Sequence, residues 1–528
     1  LARLAELSRQ TRAHQGRLMF VEGTSGSGKS RLLVELAKQA RSDGLWVLKG
    51  QAAKQVGQKP FAIFEGIVEG FVTAVRNDQE RLHSIQADLG DLKDALVSAL
   101  PSLAEVLDTK IDTAHGPEAF GENRTIEAIS RFLDIIGEKL EPVIFILDDC
   151  QWADDVIYRL LRRWHALDGQ SARSTSIIVA FRSEEVGADH PLRAIRPEDH
   201  LQLGPFSDTE VRKLIESMAG GLPHEAIDVV TRLSSGSPFM AFAVLRGLVE
   251  SRALLPDGGS WKVDETAMAE IQSSTEAAAV IARRMDLLPA ETVRIVCTGA
   301  IIGKEFGLDM AAYLTGMSTS EALRALTEAR ERQIVWARAD GAEFVFVHDQ
   351  VREAFLNRIT RPQRSGLHLQ AAYYFESHAP DHFSDIAYHF DEAGVPTKAV
   401  PYALSAAEEA RLRFSLGVAE QQYRIAARGV GEGEDGIRFQ IAKGLGDTLM
   451  LRGRYEEAEP LFREALVLAP NRLAKAELQS NLADLQFKRG DMESATLGYE
   501  LTLRILGRHV PRCFVVMVVL LLWETCVQ

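Results

Sequence analysis

The chain has 528 residues, of which 46% are hydrophobic and 25% charged, a globular composition that excludes the fibrous and disordered classes. Its length predicts about three or four domains. The net charge of −14 argues against a protein whose whole surface binds nucleic acid, although a local basic patch remains compatible with it.

The four cysteines are far apart and form no CxxC pair: Cys150, Cys297, Cys513 and Cys526. This spacing matches neither a disulfide framework nor a zinc site, so we expect a reducing, cytoplasmic environment. Residue 1 is Leu, and no signal-peptide pattern follows it. We therefore expect the chain to be a piece of a longer protein.

The clearest motif is GTSGSGKS at residues 23–30, which fits G-x-x-x-x-G-K-[ST] at every fixed position. A strand-type apolar run at 17–22 precedes it, and an amphipathic helical pattern at 31–40 follows it. The glycines let backbone N–H groups point at phosphate, and the start of a helix adds positive charge.

Two side chains of this loop carry further chemistry. Lys29 is predicted to contact the β- and γ-phosphates, and the Ser30 hydroxyl to bind Mg²⁺. The sequence thus predicts an ATP/ADP and Mg²⁺ site formed by Gly23, Thr24, Ser25, Gly26, Ser27, Gly28, Lys29, Ser30 and Arg31.

Two acidic residues follow the apolar run 142–147, which is typical of a strand buried on both faces of a parallel sheet. We expect Asp148 to bind Mg²⁺ through water and Asp149 to polarise the attacking water. Asp149 is one methylene shorter than the Glu of many hydrolytic relatives and would orient water less well, so nucleotide binding is a firmer expectation than turnover. A third buried-type run, 176–181, ends at Arg182, which is either a sensor of the γ-phosphate or a solvated strand end.

The segments GTSGSGKSRLL, VIFILDDCQWAD (143–154) and SIIVAFR resemble the AAA-type ATPase module of the STAND class of signalling NTPases. The most specific likeness is the Asp-Asp pair followed by Trp-Ala-Asp. The resemblance implies an α/β P-loop domain over 1–204, with a five-stranded parallel sheet and helices on both faces. The family's glycine–arginine motif, which contacts adenine, would stand before the first residue of this chain.

The resemblance continues through a helical lid at 205–270. Leu203–Ser207 with Glu210 is similar to the family's lid entry, and Gly236-Ser237-Pro238 to its G-x-P motif, in which the proline approaches adenine. A plain turn is the alternative for Gly-Ser-Pro. His348 in FVHD resembles a histidine that contacts the β-phosphate of ADP, or else it is an ordinary core or surface histidine.

Helical spacing over 275–331 is followed by two strand patterns, 333–338 and 343–347, around Ala339-Asp340-Gly341. This order predicts a winged-helix domain over 271–372.

Residues 373–528 carry a repeated pattern of a small residue, an aromatic residue and another small one. The anchors are Ala419-Tyr423-Ala426, Ala458-Phe462-Ala465 and Ala495-Tyr499-Thr502. This pattern resembles tetratricopeptide repeats of about 34 residues, which stack into an α-solenoid with a groove for a partner. A simple helical spacer is the alternative. The apolar run at 513–523 is too short for a membrane span and favours a buried helix.

The leading hypothesis is an ATP/ADP-binding signal-transduction switch with slow, Mg²⁺-dependent hydrolysis. The repeats would sense a protein or small-molecule inducer, and an output domain (kinase, cyclase or transcriptional) would lie outside this chain; nucleotide-driven self-association is compatible. The alternative is a DNA-binding, origin-recognition-type ATPase, which the acidic charge and an acidic candidate wing disfavour. A scaffold with a silent P-loop is disfavoured by the intact Lys29, Ser30, Asp148 and Asp149.

Overall fold

The computed structural model describes residues 2–52, 61–76, 78–108, 118–166, 173–272, 285–338 and 341–508. The chain divides into two units, Leu1–Pro380 and Asp381–Gln528. The predicted turn at Ala339-Asp340 and the apolar run at 513–523 lie outside the described residues. Within these ranges no helix has both the length and the apolar content that a bilayer crossing requires.

The first unit is built on a sheet of five parallel strands in the order β2-β3-β4-β1-β5. Strand alternation sends Phe20 and Phe145 to one face of the sheet and Met19 and Ile144 to the other, and both faces are buried. This confirms the predicted parallel sheet with helices on both faces. The strands are Leu18–Gly23 (β1), Trp46–Gln51 (β2), Val143–Asp148 (β3), Thr175–Arg182 (β4) and Asp199–Leu203 (β5).

Helices cover this sheet, and the longest of them is Glu118–Lys139. The others are Ala2–Arg12, Lys29–Ser42, Glu65–Val75, Gln79–Leu89, Lys93–Ala99, Ala104–Leu107 and Asp155–Ala166, with short 3₁₀ turns at Ala62–Phe64, Gly90–Leu92, Pro101–Leu103, Cys150–Trp152 and Pro191–Ala194. Because parallel strands end at one edge, the residues after β1, β3 and β4 come together there.

Four helices and a two-stranded hairpin follow, and we call residues 208–272 the lid segment. A capping box at Ser207 and Glu210 begins its first helix. Its elements are Asp208–Ala219, His224–Ser234, Pro238–Glu250, Leu254–Asp257 (β6), Ser260–Val263 (β7) and Glu265–Gln272. The segment has an apolar core of its own.

Residues 285–378, the helix–sheet segment, surround an antiparallel sheet of order β8-β10-β9. Its strands are Glu305–Gly307 (β8), Val335–Ala337 (β9) and Glu343–Phe346 (β10), and its helices are Ala290–Ile302, Leu308–Thr315, Thr319–Glu331, Asp349–Leu356 and Arg361–His378. The sequence did not predict β8, which is held by pairing of Phe306 with Phe344.

The second unit is a succession of antiparallel helix pairs. Glycines at the crossings make room for aromatic rings: a Cβ on Gly444 would lie 2.3 Å from the Tyr423 ring, and one on Gly446 would lie 2.8 Å from Phe462. Its helices are Phe383–Glu392, Pro396–Leu412, Leu416–Gly429, Asp435–Leu451, Tyr455–Leu468, Arg472–Lys488 and Met492–Ile505.

Candidate nucleotide site

The phosphate loop connects β1, which ends at Gly23, to the helix that begins at Lys29. Gly26 and Gly28 have φ angles of +80° and +92°, a left-handed conformation that favours glycine. A Cβ on Gly26 would also lie only 2.7 Å from Ser237 Oγ. The first N–H groups of a helix have no intrahelical acceptor, so this helix presents donors to an anion.

Lys29 is buried, and its Nζ donates to the carbonyls of Gly23, at 2.7 Å, and Thr24, at 2.8 Å. Burial lowers the pKa of Lys29. The buried Ser27 Oγ has no hydrogen-bond partner in the described structure. Phosphate oxygens would satisfy both the hydroxyl and the cation, so these residues fit a phosphate tail.

A carboxylate of the same chain already contacts this loop. The N–H of Ser25 donates to Glu184 Oε1 at 2.7 Å, and the charge of Glu184 acts on Lys29. Glu184 is exposed and lies two residues after β4. By contrast, the Arg31 side chain pairs with Glu35 at 2.8 Å on the helix surface.

The two predicted metal ligands lie together, because Ser30 Oγ donates to Asp148 Oδ2 at 3.0 Å. Hydroxyl and carboxylate oxygens are ligands that Mg²⁺ accepts, so the pair fits this ion. Burial and the charge of Asp149 raise the pKa of Asp148, and a bound cation would favour its ionised form. Among the described residues, no group of three or more His, Cys, Asp or Glu side chains is arranged to hold a metal.

Four side chains surround the buried carboxylate of Asp149. Its Oδ1 accepts from Gln151 at 3.1 Å and from Arg182 at 3.3 Å, and its Oδ2 accepts from Gln51 at 2.9 Å and from Lys304 at 3.1 Å. Burial opposes ionisation, but Lys304, Gln51 and Arg182 outweigh it and lower the pKa of Asp149. The surroundings therefore favour the ionised form of Asp149 more strongly than that of Asp148.

A second carboxylate, Asp349, joins this group from the helix–sheet segment. Arg182 forms ion pairs with both Asp149 and Asp349, and Lys304 Nζ lies 3.9 Å from Asp349 Oδ1. The Arg182 guanidinium also packs over the Trp152 ring, 4.5 Å from its centroid. We call Asp149, Arg182, Lys304 and Asp349 the charge cluster; it joins the edge of the parallel sheet to the helix–sheet segment.

The lid segment and the helix–sheet segment also meet the phosphate loop at Gly26. Its carbonyl accepts from Ser237 Oγ and from the Phe239 N–H, both at 3.3 Å. Pro238, between these two residues, is the first residue of its helix. The His348 ring stacks on Phe239 with 3.8 Å between centroids. Its Nε2 would lie 3.6 Å from a Cβ added to Gly26.

The protonation of His348 follows from its contacts. Its Nδ1 accepts from the Gln350 N–H at 3.2 Å and caps the helix that begins at Asp349. The neutral ring therefore carries its proton on Nε2, on the side of the phosphate loop. Desolvation, assisted by nearby cations, lowers the pKa of His348 to about 4, so the ring is neutral at pH 7.

Two family models match parts of the chain. The model described as AAA ATPase domain matches residues 1–179, which include the phosphate loop and both acids. The chain contains an AAA ATPase domain. A tetratricopeptide repeat model matches residues 438–507, so the AAA ATPase domain is combined with C-terminal tetratricopeptide repeats in one chain. This confirms the AAA module and the repeats that the sequence predicted.

Proteins that match longer stretches of the chain have low sequence identity to it. An uncharacterized protein R02095 of Rhizobium meliloti (strain 1021) is 23% identical over 78% of this chain, which spans 40% of that protein's length. A STAND protein with a tetratricopeptide repeat sensor, PH0952 of Pyrococcus horikoshii, is 13% identical with a TM-score of 0.38 over 94% of this chain and 76% of its own. CDC6P of Pyrobaculum aerophilum is 12% identical with a TM-score of 0.30 over 68% and 94%.

The structure brings most of the predicted site residues of the AAA ATPase to one edge of the sheet. The loop residues 23–30, Asp148, Asp149, Arg182 and His348 converge there, and the side chain of Arg31 turns away to Glu35. Sequence reasoning missed Glu184, Lys304 and Asp349. Asp349 directly follows His348 in the FVHD segment, which is the one signal that pointed to it.

Proposed function

We propose that this chain is an ATP/ADP-controlled signalling switch of the STAND class. The observation that carries the proposal is the meeting of three segments at Gly26, where the phosphate loop contacts Ser237 and Phe239 of the lid segment and His348 stacks on Phe239. A change in what the loop holds alters the surface on which the other two segments rest. A ligand shifts such an equilibrium only through different affinities for the two forms.

In the closed form proposed here, the loop amides and Lys29 hold the diphosphate of ADP. His348 donates its Nε2–H toward the β-phosphate, and Pro238 packs against the base, as the family resemblance implies. Ser30 and Asp148 would hold Mg²⁺, which supplies positive charge to the phosphate oxygens. ATP places additional negative charge near Arg182 and Lys304, where it competes with Asp149 and Asp349 for these cations.

Slow hydrolysis would reset this switch. Asp148 would hold the magnesium, Asp149 would orient water, and Arg182 would respond to the γ-phosphate. The tetratricopeptide repeats supply a surface typical of protein recognition and would bias the same equilibrium when an inducer binds. The output domain would belong to the parent chain, and nucleotide-driven self-association fits this class.

The DNA-binding alternative has less support from the described residues. Arg338, which directly follows β9, forms ion pairs with Glu305 of β8 and Glu343 of β10, so its charge is compensated within the small antiparallel sheet. A wing that binds phosphate needs cations that are free for it. A nucleotide-independent, strongly salt-dependent affinity for duplex DNA would nevertheless favour this alternative.

Lys29→Ala tests the proposal directly. We expect the affinity for both ADP and ATP to fall by roughly 100-fold, because a buried charge-assisted contact is lost. Titration calorimetry measures both constants, and Lys38→Ala is the matched control, since Lys38 lies on the same helix but is exposed and pairs with Glu35. Equal nucleotide affinity of Lys29→Ala and the wild type would refute the nucleotide site.

The switching step needs its own measurement. Hydrogen exchange of residues 237–239 and 346–349 should be slower with ADP than with ATP, because ADP would favour the form docked at Gly26 more strongly than ATP does. Identical exchange with ADP and with ATP would refute the nucleotide-dependent switch, although the chain could still bind nucleotide.

A further inference from the structure

We propose that Lys304 keeps Asp149 out of the hydrolytic reaction for as long as the helix–sheet segment is docked. Lys304 is thus a positioning residue that acts through Asp149. This inference rests on the proposed function and adds a residue that links the position of the helix–sheet segment to catalysis. No sequence motif of the nucleotide site includes this lysine.

The carboxylate of Asp149 has a limited capacity for hydrogen bonds. An ionised Asp has two oxygens and about four acceptor sites. At Asp149 five hydrogen bonds use up this capacity: Gln151 and both the Nε and Nη2 of Arg182 donate to Oδ1, and Gln51 and Lys304 donate to Oδ2. No acceptor site is left for the hydrogen of an attacking water.

The four donors differ in where they come from. Gln51 and Arg182 are the last residues of β2 and β4, and Gln151 lies in the 3₁₀ turn that follows β3 and Asp149, so these three donors belong to the edge of the parallel sheet, as Asp149 does. Lys304 comes from the helix–sheet segment, just before β8, and its carbonyl accepts from the Phe346 N–H at 2.9 Å. Movement of that segment removes Lys304 and leaves the other three donors in place.

The chemistry defines what Asp149 would then do. In ATP hydrolysis the water oxygen bonds to the γ-phosphorus, the bond from that phosphorus to the β–γ bridging oxygen breaks, and the electron pair leaves with ADP. One water proton passes to an acceptor and then to the released phosphate or to solvent. With Lys304 withdrawn, Asp149 Oδ2 has one free acceptor site with which to orient that water.

Lys304 is well placed to be withdrawn without unfolding. Its side chain is 26% exposed, while that of Asp149 is 7% exposed. Its second carboxylate neighbour, Asp349, belongs to the same segment and moves with it. The ion pair between Lys304 and Asp149 is therefore a contact between two segments that can be broken as a unit together with the pair between Arg182 and Asp349.

The test uses the full chain and the variant Lys304→Met, which keeps the length of the side chain and removes its charge. We expect the single-turnover hydrolysis of pre-bound ATP to accelerate about ten- to hundredfold, the change that one charge-assisted hydrogen bond corresponds to. Lys304→Arg should stay slow, because its guanidinium also occupies Asp149. Lys213→Met, an exposed lysine of the lid segment, is the matched control and should not differ from the wild type.

Two further measurements distinguish a direct effect of Lys304 on Asp149 from a general loosening of the contact between the segments. Release of a fluorescent ADP analogue should change less than about threefold in Lys304→Met, since the loop and His348 still hold the diphosphate. Adding Asp149→Asn to Lys304→Met should abolish the acceleration. An unchanged or slower turnover in Lys304→Met, or ADP release accelerated in proportion to turnover, would overturn the proposal. Loss of nucleotide binding in the wild type would instead refute the proposed function.

Discussion

Two buried carboxylates of this chain each accept hydrogen bonds from several cationic or amide side chains, but the partners of the two lie at different distances along the sequence. Asp149, in the first unit, is bound by residues 98, 33 and 155 positions away: Gln51, Arg182 and Lys304. Glu420, in the repeat unit, is bound by Arg424, Arg452 and Arg454, which lie 4, 32 and 34 positions away.

This difference decides what each carboxylate can do. The partners of Glu420 stand on its own helix and in the turn between the two helices that follow, so the group persists as long as these neighbouring repeat helices are folded. Asp149 has its full set of hydrogen-bond donors only when the helix–sheet segment rests against the ATPase domain. Movement of that segment therefore changes the hydrogen bonds of Asp149. The first arrangement stabilises a repeat, and the second is suited to a switch.

Removing the local carboxylate should give the larger effect on stability. In Glu420→Ala three arginines lose their common buried partner, and we expect the repeat unit to lose up to about 3 kcal/mol of stability, the low end for breaking a buried ion pair, because the arginines left behind are partly exposed. Hydrogen exchange of residues 416–454 measures the loss. The affinity for ADP should not change, because the three arginines that bind Glu420 all belong to the repeats.

The matched control is Glu456→Ala, which changes an exposed glutamate on the helix Tyr455–Leu468 and should be neutral. A large change in ADP affinity in Glu420→Ala would show that the Glu420 group is not local, and the contrast with Asp149 would fail.

Lowering the pH should destabilise the first unit but not the repeat unit, by a smaller free energy than Glu420→Ala. The pKa of His348 is lowered from 6.5 to about 4, so its contribution to docking is complete above pH 6.5 and is lost as the pH falls through 4. At pH 5 the loss is roughly 2 kcal/mol. Burial would raise the pKa of Glu420, but its arginines lower it, so the repeats lose this stabilisation only below the ordinary range of glutamate.

Hydrogen exchange between pH 7 and 5, corrected for the intrinsic rate, measures this difference between the units. Residues 346–356 should lose protection, and residues 416–454 should keep it. His348→Phe retains a ring to stack on Phe239 and should remove the pH step. Loss of protection at the same pH in both units would show that His348 is not its cause.

How far the sequence predicted these features depends on the distance between the interacting residues. The phosphate loop is eight contiguous residues whose shape depends on the backbone freedom of Gly26 and Gly28, so its motif predicted the loop directly. The repeat anchors recur along the chain, and their small residues meet aromatic rings within the same unit, as Gly444 meets Tyr423. Local or periodic patterns of this kind are visible in the amino-acid sequence itself.

The charge cluster could not be predicted in this way. Lys304 is a single lysine in a short connection before β8, and nothing in its neighbours indicates that it lies 3.1 Å from Asp149. β8 has only three residues, too few to show a strand periodicity, and pairing of Phe306 with Phe344 forms it. Both features depend on tertiary packing, which the patterns of one chain do not contain.

The exposed carboxylate on the phosphate loop should give the smallest effect. Glu184→Gln keeps an oxygen that can accept from the Ser25 N–H but removes the negative charge beside the phosphate position. We expect the affinity for ATP to rise by roughly fivefold or less, because the contact is solvent-exposed and screened. Calorimetry at low and high salt measures it, with Asp189→Asn in the same exposed loop as control. A fall in affinity would mean that Glu184 assists nucleotide binding. The role of this carboxylate would then depend on the bound nucleotide, whereas the roles of Asp149 and Glu420 depend on side chains of the protein.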